Sequence, residues 1–227
     1  MIPVRPLLSW LSPAGANGHL SVFIFHRVLP QLDPLFPSEV DAIRFDRIMG
    51  WVKNWFNVLP LDEAARMLKA STLPARAAAI TFDDGYEDNF SVALPILKRH
   101  GLTSTFFIAT GFLDGGRMWN DTVIESIRGC PLNILDLTAH RLGVHEIASA
   151  EQRRIAISAI IRQIKYLPDR QRDDLTEKLS AAAQVRPPAN LMMTSGQVRE
   201  MRRAGMQIGA HTVTHPILAK LELAAAR

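Results

Sequence analysis

The sequence predicts an α/β fold in which parallel strands alternate with helices. Five short apolar runs have the character of strands, at residues 20–25, 57–59, 77–82, 104–109 and 206–210. Helical patterns separate most of these runs, and this alternation is typical of parallel β-α units. Because the alternation extends over most of the chain, we expect either a barrel or a doubly wound sheet.

The helices of this alternation have individual signals. Residues 45–56 carry a single apolar stripe at helical spacing, formed by Phe45, Ile48, Met49, Val52, Trp55 and Phe56. Residues 61–70 begin with Asp62 and Glu63, and acidic side chains are favourable in the first turn of a helix. Residues 90–100 predict a further helix that ends at Gly101, a residue type that commonly caps helix C-termini.

The alternation breaks between residues 114 and 193, where we predict a helical insertion. Ser149 and Gln152 have the spacing of a capping box, and a stripe of isoleucines follows, formed by Ile157, Ile160, Ile161 and Ile164. A second helix is predicted to begin at Pro168 and Asp169. We interpret the basic residues of this insertion as a solvated face, with polyanion binding as the alternative. Thr194 and Gln197 predict another capping box, which begins the helix before the last strand.

Composition narrows the classes of function. The chain has 227 residues, and a hydrophobic content of 48% is sufficient for a large core. The 26 basic and 22 acidic residues leave a formal net charge of only +4, which gives no indication of a nucleic-acid partner. The single cysteine, Cys130, excludes an intrachain disulfide and a cysteine-built zinc site. Oligomeric state is left open.

The first 18 residues contain a short apolar patch, formed by Leu7, Leu8, Trp10 and Leu11, among three prolines. A secretory signal needs an uninterrupted apolar core of about 7–15 residues, and a membrane span needs about 18 or more. We therefore expect a cytoplasmic protein without a transmembrane segment. We expect the patch to be a strand or loop packed on the core; a peripheral membrane contact is the alternative.

Two polar motifs follow predicted strands. Asp83, Asp84 and Gly85 come directly after the apolar run at residues 77–82, and His211 and His215 follow the run at residues 206–210. A charge at the end of a buried strand is costly without a partner, so two adjacent carboxylates indicate a cation. The ends of parallel strands converge on one face, so the motifs can meet there.

The residue types fit a catalytic metal site. Zinc at such a site takes three His or carboxylate ligands and keeps an open position for water. Asp84, His211 and His215 provide this set, and Asp83 is the candidate base, since no Glu follows His211. The alternatives are ordinary ones: an Asp-Asp-Gly sequence is most often a turn or helix cap, and a single histidine is most often structural.

At these positions the chain resembles a known family. Thr81-Phe82-Asp83-Asp84-Gly85 resembles the first motif of the polysaccharide deacetylases with a NodB homology domain (carbohydrate esterase family 4). His211-Thr212-x-x-His215 resembles their second motif. Shorter stretches, at residues 25–28, 94–101, 105–107 and 205–209, are also similar to the family.

The resemblance implies a distorted (β/α) barrel and metal-dependent removal of N-acetyl groups from a glycan that contains N-acetylglucosamine. It implies that Asp83 is the catalytic base and that Asp84, His211 and His215 bind a divalent metal ion, most simply Zn²⁺. As domains, we expect an N-terminal extension over residues 1–19 and a NodB-like domain over residues 20–227 with the helical insertion.

Three further residues are predicted to bind substrate. His26 ends the first predicted strand, and a buried, hydrogen-bonded histidine is the alternative there. Trp119 can stack on a sugar ring beside Asp121, and a core tryptophan is the alternative for it.

The family's pattern continues beyond the second motif with an Arg-aromatic segment, which orients the base and helps to form the oxyanion hole, and with a later His as general acid. This sequence ends at Arg227, within a predicted helix over residues 217–226. We therefore expect an incomplete barrel and deacetylation several orders of magnitude slower than that of a complete relative. The alternative is an impaired or inactive fragment that binds metal or carbohydrate.

Overall fold

The computed structural model describes residues 4–222 and 224. The described strands are β1 Ser21–Phe25, β2 Asn57–Val58, β3 Ala77–Phe82, β4 Thr105–Ile108, β5 Ile134–Asp136, β6 Val144–Glu146 and β7 Gln207–Ala210. The described α-helices are α1 Val4–Leu11, α2 Ala42–Trp55, α3 Leu61–Lys69, α4 Leu94–His100, α5 Trp119–Gly129, α6 Ala150–Ile164, α7 Asp169–Ala182 and α8 Ser195–Arg203.

The chain forms two compact units. The first unit comprises Met1–Gln31, Glu39–Asp114 and Met192–Arg227, and the second comprises Leu32–Ser38 and Gly115–Leu191. The first unit contains a parallel sheet with the strand order β1-β3-β4-β7, and β2 also pairs with β3. The prediction of an α/β fold on a parallel sheet is confirmed. Among the described residues the pairing does not join β7 to β1, so this part of the sheet is not closed into a barrel.

One face of this sheet forms the main core. Strand register sets Phe25 beside Phe82 and Phe82 beside Phe106, and the three rings stack with centroids 5.4 and 4.6 Å apart. The Phe45 ring of α2 meets the first two edge-on, as aromatic rings prefer. Apolar side chains of α2, α4 and α8 complete this core, among them Met49, Val52, Leu94, Leu97 and Met201.

The opposite face of the sheet is less well covered. Val22 and Ile24 of β1 point away from the phenylalanine stack and are 43% and 60% exposed. Further along this face the Phe107 ring lies over Gly209, where a Cβ atom would come within 2.6 Å of the ring. A glycine at this point therefore allows β4 and β7 to pair beneath an aromatic side chain.

Helix boundaries follow the capping residues that the sequence contains. Both predicted capping boxes are present, at Ser149 with Gln152 and at Thr194 with Gln197. Gly101 ends α4 in the left-handed conformation, with φ of 66°. The helix predicted over residues 90–100 begins differently, because Asn89–Ala93 forms a π-helical turn before α4.

The two ends of the chain differ from expectation. The patch at residues 7–11 is neither a strand nor a loop packed on the core: it lies in α1, which has no buried residue. The prolines allow this helix, because Pro6 falls in its first turn and Pro13 lies beyond its end. The helix predicted over residues 217–226 is replaced by a 3₁₀ turn at Leu218–Lys220; residues 223, 225 and 226 of that prediction lie outside the described residues.

The second unit has its own hydrophobic core. Helices α5, α6 and α7 surround an antiparallel hairpin of β5 and β6, which the sequence did not predict. The buried side chains include Val123, Ile127, Leu135, Leu137, Ile157, Ile160 and Leu179. Within this unit Arg128 of α5 donates two hydrogen bonds of 3.0 and 2.8 Å to the carboxylate of Asp33. This bidentate pair fixes Leu32–Ser38 to the rest of the unit.

No α-helix in residues 4–222 is both long enough and apolar enough to cross a lipid bilayer.

Replacement of Phe82 by alanine tests the role of the phenylalanine stack. Phe82 is fully buried between two stacked rings, so Phe82→Ala is expected to lower the free energy of unfolding by about 3–5 kcal/mol. Urea unfolding followed by circular dichroism measures this loss. Ile24→Ala, on the exposed face of β1, is the control and is expected to change stability by about 0.5 kcal/mol. Equal losses in the two variants would show that the core does not lie on the phenylalanine face.

Candidate metal centre

The two polar motifs meet at the carboxyl-terminal edge of the sheet. Asp83 and Asp84 follow β3, and His211 follows β7. Strand β4 lies between these strands and bonds to both turns. The Ala109 amide donates to the Asp84 carbonyl at 3.1 Å, and the His211 amide donates to the Ile108 carbonyl at 2.9 Å. Strand β4 and the residue after it therefore position both motifs, although β4 contains no residue of either motif.

Three side chains converge at this edge. One carboxylate oxygen of Asp84, Oδ1, lies 3.4 Å from Nε2 of His211 and 3.4 Å from Nε2 of His215. The three potential ligand atoms all lie within 4.8 Å of one another. The imidazole rings are 4.9 Å apart between centroids and are tilted by 41°. Two nitrogens and one oxygen thus face a common point.

The chemistry of this group fits a divalent cation. The Asp84 side chain is only 8% exposed, and its Oδ1 atom accepts no hydrogen bond. A buried carboxylate oxygen without a donor is costly, and a cation between it and the imidazoles would balance its charge. Two histidines and one carboxylate are a donor set of catalytic zinc sites. The imidazoles remain 32% and 44% exposed, so a further position towards solvent is open.

Tight turns produce this convergence. Asp84 and Gly85 have φ of 76° and 90°, and Thr212 and His215 have φ of 64° and 49°. Positive φ is rare for residues other than glycine, and its cost is typically repaid at functional sites. The Thr212 hydroxyl accepts a 3.0 Å hydrogen bond from the His215 amide, which closes the histidine turn.

Gly111 holds the histidine turn from the other side. Its amide donates to the Val213 carbonyl at 2.8 Å, and a Cβ atom at position 111 would lie 2.6 Å from that oxygen. No larger residue fits here without displacing the turn. The approach of backbone to backbone thus fixes the segment between the two histidines.

The electrostatic surroundings keep His215 in the form that binds metals. Burial lowers the pKa of His215, and the nearby His211 and His26 lower it further, against the opposite effects of Asp84 and Asp83. A lowered pKa favours the neutral imidazole, whose free nitrogen can donate to a cation. These contributions also show that His26 and Asp83 lie close enough to His215 to influence its charge.

The predicted base and the first of the predicted substrate residues border this group. Asp83 is half-buried, and its amide donates to the Phe25 carbonyl at 2.9 Å, which joins the ends of β1 and β3. His26 directly follows β1, and its carbonyl accepts a 2.9 Å hydrogen bond from the Asn89 side chain. The structure brings Asp83 and His26 to the edge that carries the three candidate ligands.

Trp119 and Asp121 belong to the second unit. Trp119 is the first residue of α5, and the Arg172 guanidinium lies 4.9 Å from the centroid of its ring. Asp121 is 3% exposed. The assignment of these two residues to a substrate groove stays a prediction.

One supporting network was missed by the sequence analysis. Asp88 accepts hydrogen bonds from the Arg27 side chain at 2.8 Å and from the Val28 amide at 3.1 Å. Burial raises the pKa of Asp88, although Arg27 opposes the shift. This pair ties the segment after β1 to the turn after Asp84, and it positions His26. The only signal of this network in the sequence is the acidic run over residues 83–88.

Comparisons with known proteins support the family resemblance. Residues 70–152, which include Asp83 and Asp84, match the polysaccharide deacetylase family. The candidate polysaccharide deacetylase YxkH of Bacillus subtilis is 39% identical over 91 residues, a match that covers 39% of this chain and 31% of YxkH. The predicted resemblance of this chain to the polysaccharide deacetylases is thereby confirmed.

A solved structure shares the fold. The Streptococcus pyogenes deacetylase PplD, determined in complex with acetate, is similar with a TM-score of 0.51 and 19% sequence identity. The similarity covers 89% of this chain and 60% of the PplD chain. This chain therefore corresponds to less than two thirds of either protein's length.

Loss of one histidine tests the metal centre. We expect purified wild-type protein to bind about one equivalent of zinc, and His211→Ala to bind less than a tenth of this, because a carboxylate and one imidazole are too few ligands. Metal analysis after dialysis against zinc measures the stoichiometry. His19→Ala, an exposed histidine outside the group, is the control. Equal zinc content in all three proteins would refute the assignment.

The lowered pKa of His215 gives a second test. In metal-free protein we expect its imidazole to titrate below the ordinary value of 6.5, so that it stays neutral as the pH falls to 6.5. The unfolded chain takes up this proton at a higher pH than the folded chain, so acidification through this range should destabilise the folded state. NMR titration of the imidazole signals measures the pKa, with His215→Gln to assign them. A midpoint above 6.5 would contradict the prediction.

Proposed function

We propose that this chain is a metal-dependent hydrolase that removes N-acetyl groups from an N-acetylated amino-sugar polysaccharide or oligosaccharide. The reaction is hydrolysis of an amide carbon–nitrogen bond, which releases acetate and leaves a free amine on the sugar. The observation that carries this proposal is the buried Oδ1 atom of Asp84, which has no hydrogen-bond donor and lies 3.4 Å from two imidazole nitrogens. The match of residues 70–152 to the polysaccharide deacetylases supports it.

Asp84, His211 and His215 are the residues that would hold the metal ion. Their mixed nitrogen and oxygen ligands suit zinc, although other divalent ions accept the same set. Such an ion would polarise the amide carbonyl and lower the pKa of a water molecule to about 7. The half-exposed imidazoles leave this face of the site accessible to a bulky glycan.

Asp83 would act as the general base. It is adjacent to Asp84 in the chain and half-buried, so its carboxylate is near the candidate ligands without being one of them. In the proposed reaction an Asp83 oxygen accepts a proton from water as the water oxygen attacks the carbonyl carbon. Collapse of the tetrahedral intermediate then breaks the carbon–nitrogen bond, and the leaving nitrogen takes up a proton.

Substrate binding is proposed to involve His26, at the same sheet edge, while the assignments of Trp119 and Asp121, in the second unit, stay predictions of the sequence. A sugar ring presents an apolar face that can stack on an indole, and its hydroxyl groups can donate to a carboxylate. From the family resemblance alone, the glycan is proposed to be a polymer or oligomer that contains N-acetylglucosamine.

A catalytically impaired protein that binds metal or carbohydrate is the second candidate. The group of three candidate ligands favours it, because these side chains can hold an ion without any of the groups that later steps of a hydrolysis need. A metal centre at the edge of this sheet can bind its ion and still lack the groups that stabilise the oxyanion. Loss of one such donor typically lowers kcat by about 10²–10³.

Acetate release from an N-acetylglucosamine oligomer tests the proposal. We expect the wild-type chain to release acetate slowly, and a chelator to abolish the release. Asp83→Asn should reduce the rate by about 10²–10⁴ without loss of bound metal, because the base and the ligands are different residues. Asp173→Asn, an exposed aspartate of α7, is the matched control.

Each result of this experiment separates the candidates. A slow rate that responds neither to chelator nor to Asp83→Asn would disprove the metal-and-base mechanism. Stoichiometric metal with no acetate release would establish the impaired protein instead.

A further inference from the structure

We propose that α1 and the adjoining surface of α2 form a docking site for an anionic lipid bilayer. This lipid-docking surface consists of the outward side chains of α1 together with Trp51 and Arg47 of α2. It is separate from the candidate metal centre and does not depend on the proposed hydrolase activity.

The outward side of α1 is entirely apolar. Val4, Leu7, Trp10 and Leu11 are 38%, 45%, 78% and 54% exposed. A surface helix of a globular protein normally turns polar residues to water and apolar residues to the core. Here the arrangement is reversed, since the polar Arg5 and Ser9 fall on the opposite side of the helix. A tryptophan exposed to this degree is unusual, because tryptophan is on average highly buried.

The polar side of α1 attaches the helix to the first unit. The Arg5 side chain donates to the carbonyl oxygen of Asn54 in the last turn of α2, and Leu8 and Ser9 are half-buried. After the helix, the Ser12 carbonyl accepts a 2.8 Å hydrogen bond from the Arg76 amide. These contacts fix the orientation of α1, so its apolar side faces outward as part of the fold.

The adjoining surface of α2 is aromatic and basic. The Trp51 and Trp55 rings stack in parallel, with centroids 5.8 Å apart, and Trp51 is 46% exposed. Arg47 is exposed one helical turn before Trp51, on the same side of the helix. Its one acidic residue, Asp46, already binds the side chains of Arg99 and His100. In addition, residues 4–32 contain no Asp or Glu.

This combination matches the interface of a bilayer with anionic lipids. Amphipathic helices lie in the plane of the interface with their apolar side among the acyl chains, and tryptophan is favoured at that depth. Nearby Lys and Arg side chains are attracted to anionic headgroups. With eight residues α1 is about 12 Å long, which is too short to cross a bilayer and sufficient to lie on one.

Charge also distinguishes a bilayer from a second copy of this chain. A two-fold dimer through this surface would place the basic Arg47 of both copies at one interface. Like charges at such an interface are unfavourable. Residues 4–32 offer no acidic side chain to pair with Arg47 in a second copy, whereas anionic headgroups would pair with it, so the charges favour a lipid surface over self-association.

Co-sedimentation of the full 227-residue chain with lipid vesicles tests the proposal. We expect binding to vesicles that contain phosphatidylglycerol and about fivefold weaker binding to phosphatidylcholine alone, since one cation near the surface contributes roughly fivefold. Trp10→Asp should weaken partitioning at least about tenfold, because it removes a large apolar side chain from the interface and adds a charge. Ile155→Asp, at an exposed isoleucine of α6, is the matched control and should leave binding unchanged.

A second measurement locates the surface at the lipid. Brominated lipids should quench the tryptophan fluorescence of the wild-type chain, and Trp10→Phe should lose part of this quenching while it still binds. Equal losses for Trp10→Asp and Ile155→Asp, or no binding to either vesicle, would overturn the proposal. So would a dimer in sedimentation analysis that Trp10→Asp abolishes while vesicle binding is absent, since the surface would then be a self-association site.

Discussion

A carboxylate withheld from water is the constraint around which the first unit is arranged. The Oδ1 atom of Asp84 has no hydrogen-bond donor, and removing a charged oxygen from water costs several kcal/mol unless a partner replaces the solvent. The nearest candidate partners are two imidazole nitrogens, both supplied by a segment more than 120 residues away in the chain. That partnership requires β3 and β7 to end at the same edge of the sheet, which their parallel alignment on either side of β4 achieves.

The backbone at this edge of the sheet is strained, and contacts with the neighbouring strand must stabilise it. Asp84, Thr212 and His215 all have positive φ, and each such residue costs on the order of 1–3 kcal/mol. Hydrogen bonds offset part of this cost: Ala109 donates to Asp84, and Gly111 donates to Val213 within the histidine turn. The segment after β4 therefore stabilises both strained turns, although it contributes no candidate ligand. Relaxed turns would separate the ligand atoms, so the strain and the metal centre are parts of one arrangement.

Much of the fold was predictable because its signals are local. The bounds of β3 and the two capping boxes agree with the sequence prediction, since apolar runs and cap residues act over a few positions. The partnership of Arg27 with Asp88 was not predictable, because it depends on tertiary contact across 61 residues. Helix α1 was missed for another reason: the prolines of this stretch were interpreted as breaks, whereas Pro6 falls in the first turn of the helix and Pro13 lies beyond its end. The first error concerns the surroundings of a segment, and the second concerns the conformation of the segment itself.

At the ends of two strands, a residue of the core and a residue of the candidate site are direct neighbours in the sequence. Phe25 is followed at once by His26, and Phe82 by Asp83, so the stacked rings that hold β1 and β3 together end where the polar side chains begin. Closely packed interiors deform little, so the positions of His26 and Asp83 follow from the packing of the preceding rings. Changes in the phenylalanine stack should therefore affect both stability and the geometry of the ligands. The candidate metal centre is positioned by the core beneath it, and this explains how turns with strained backbone can keep three side chains within reach of one ion.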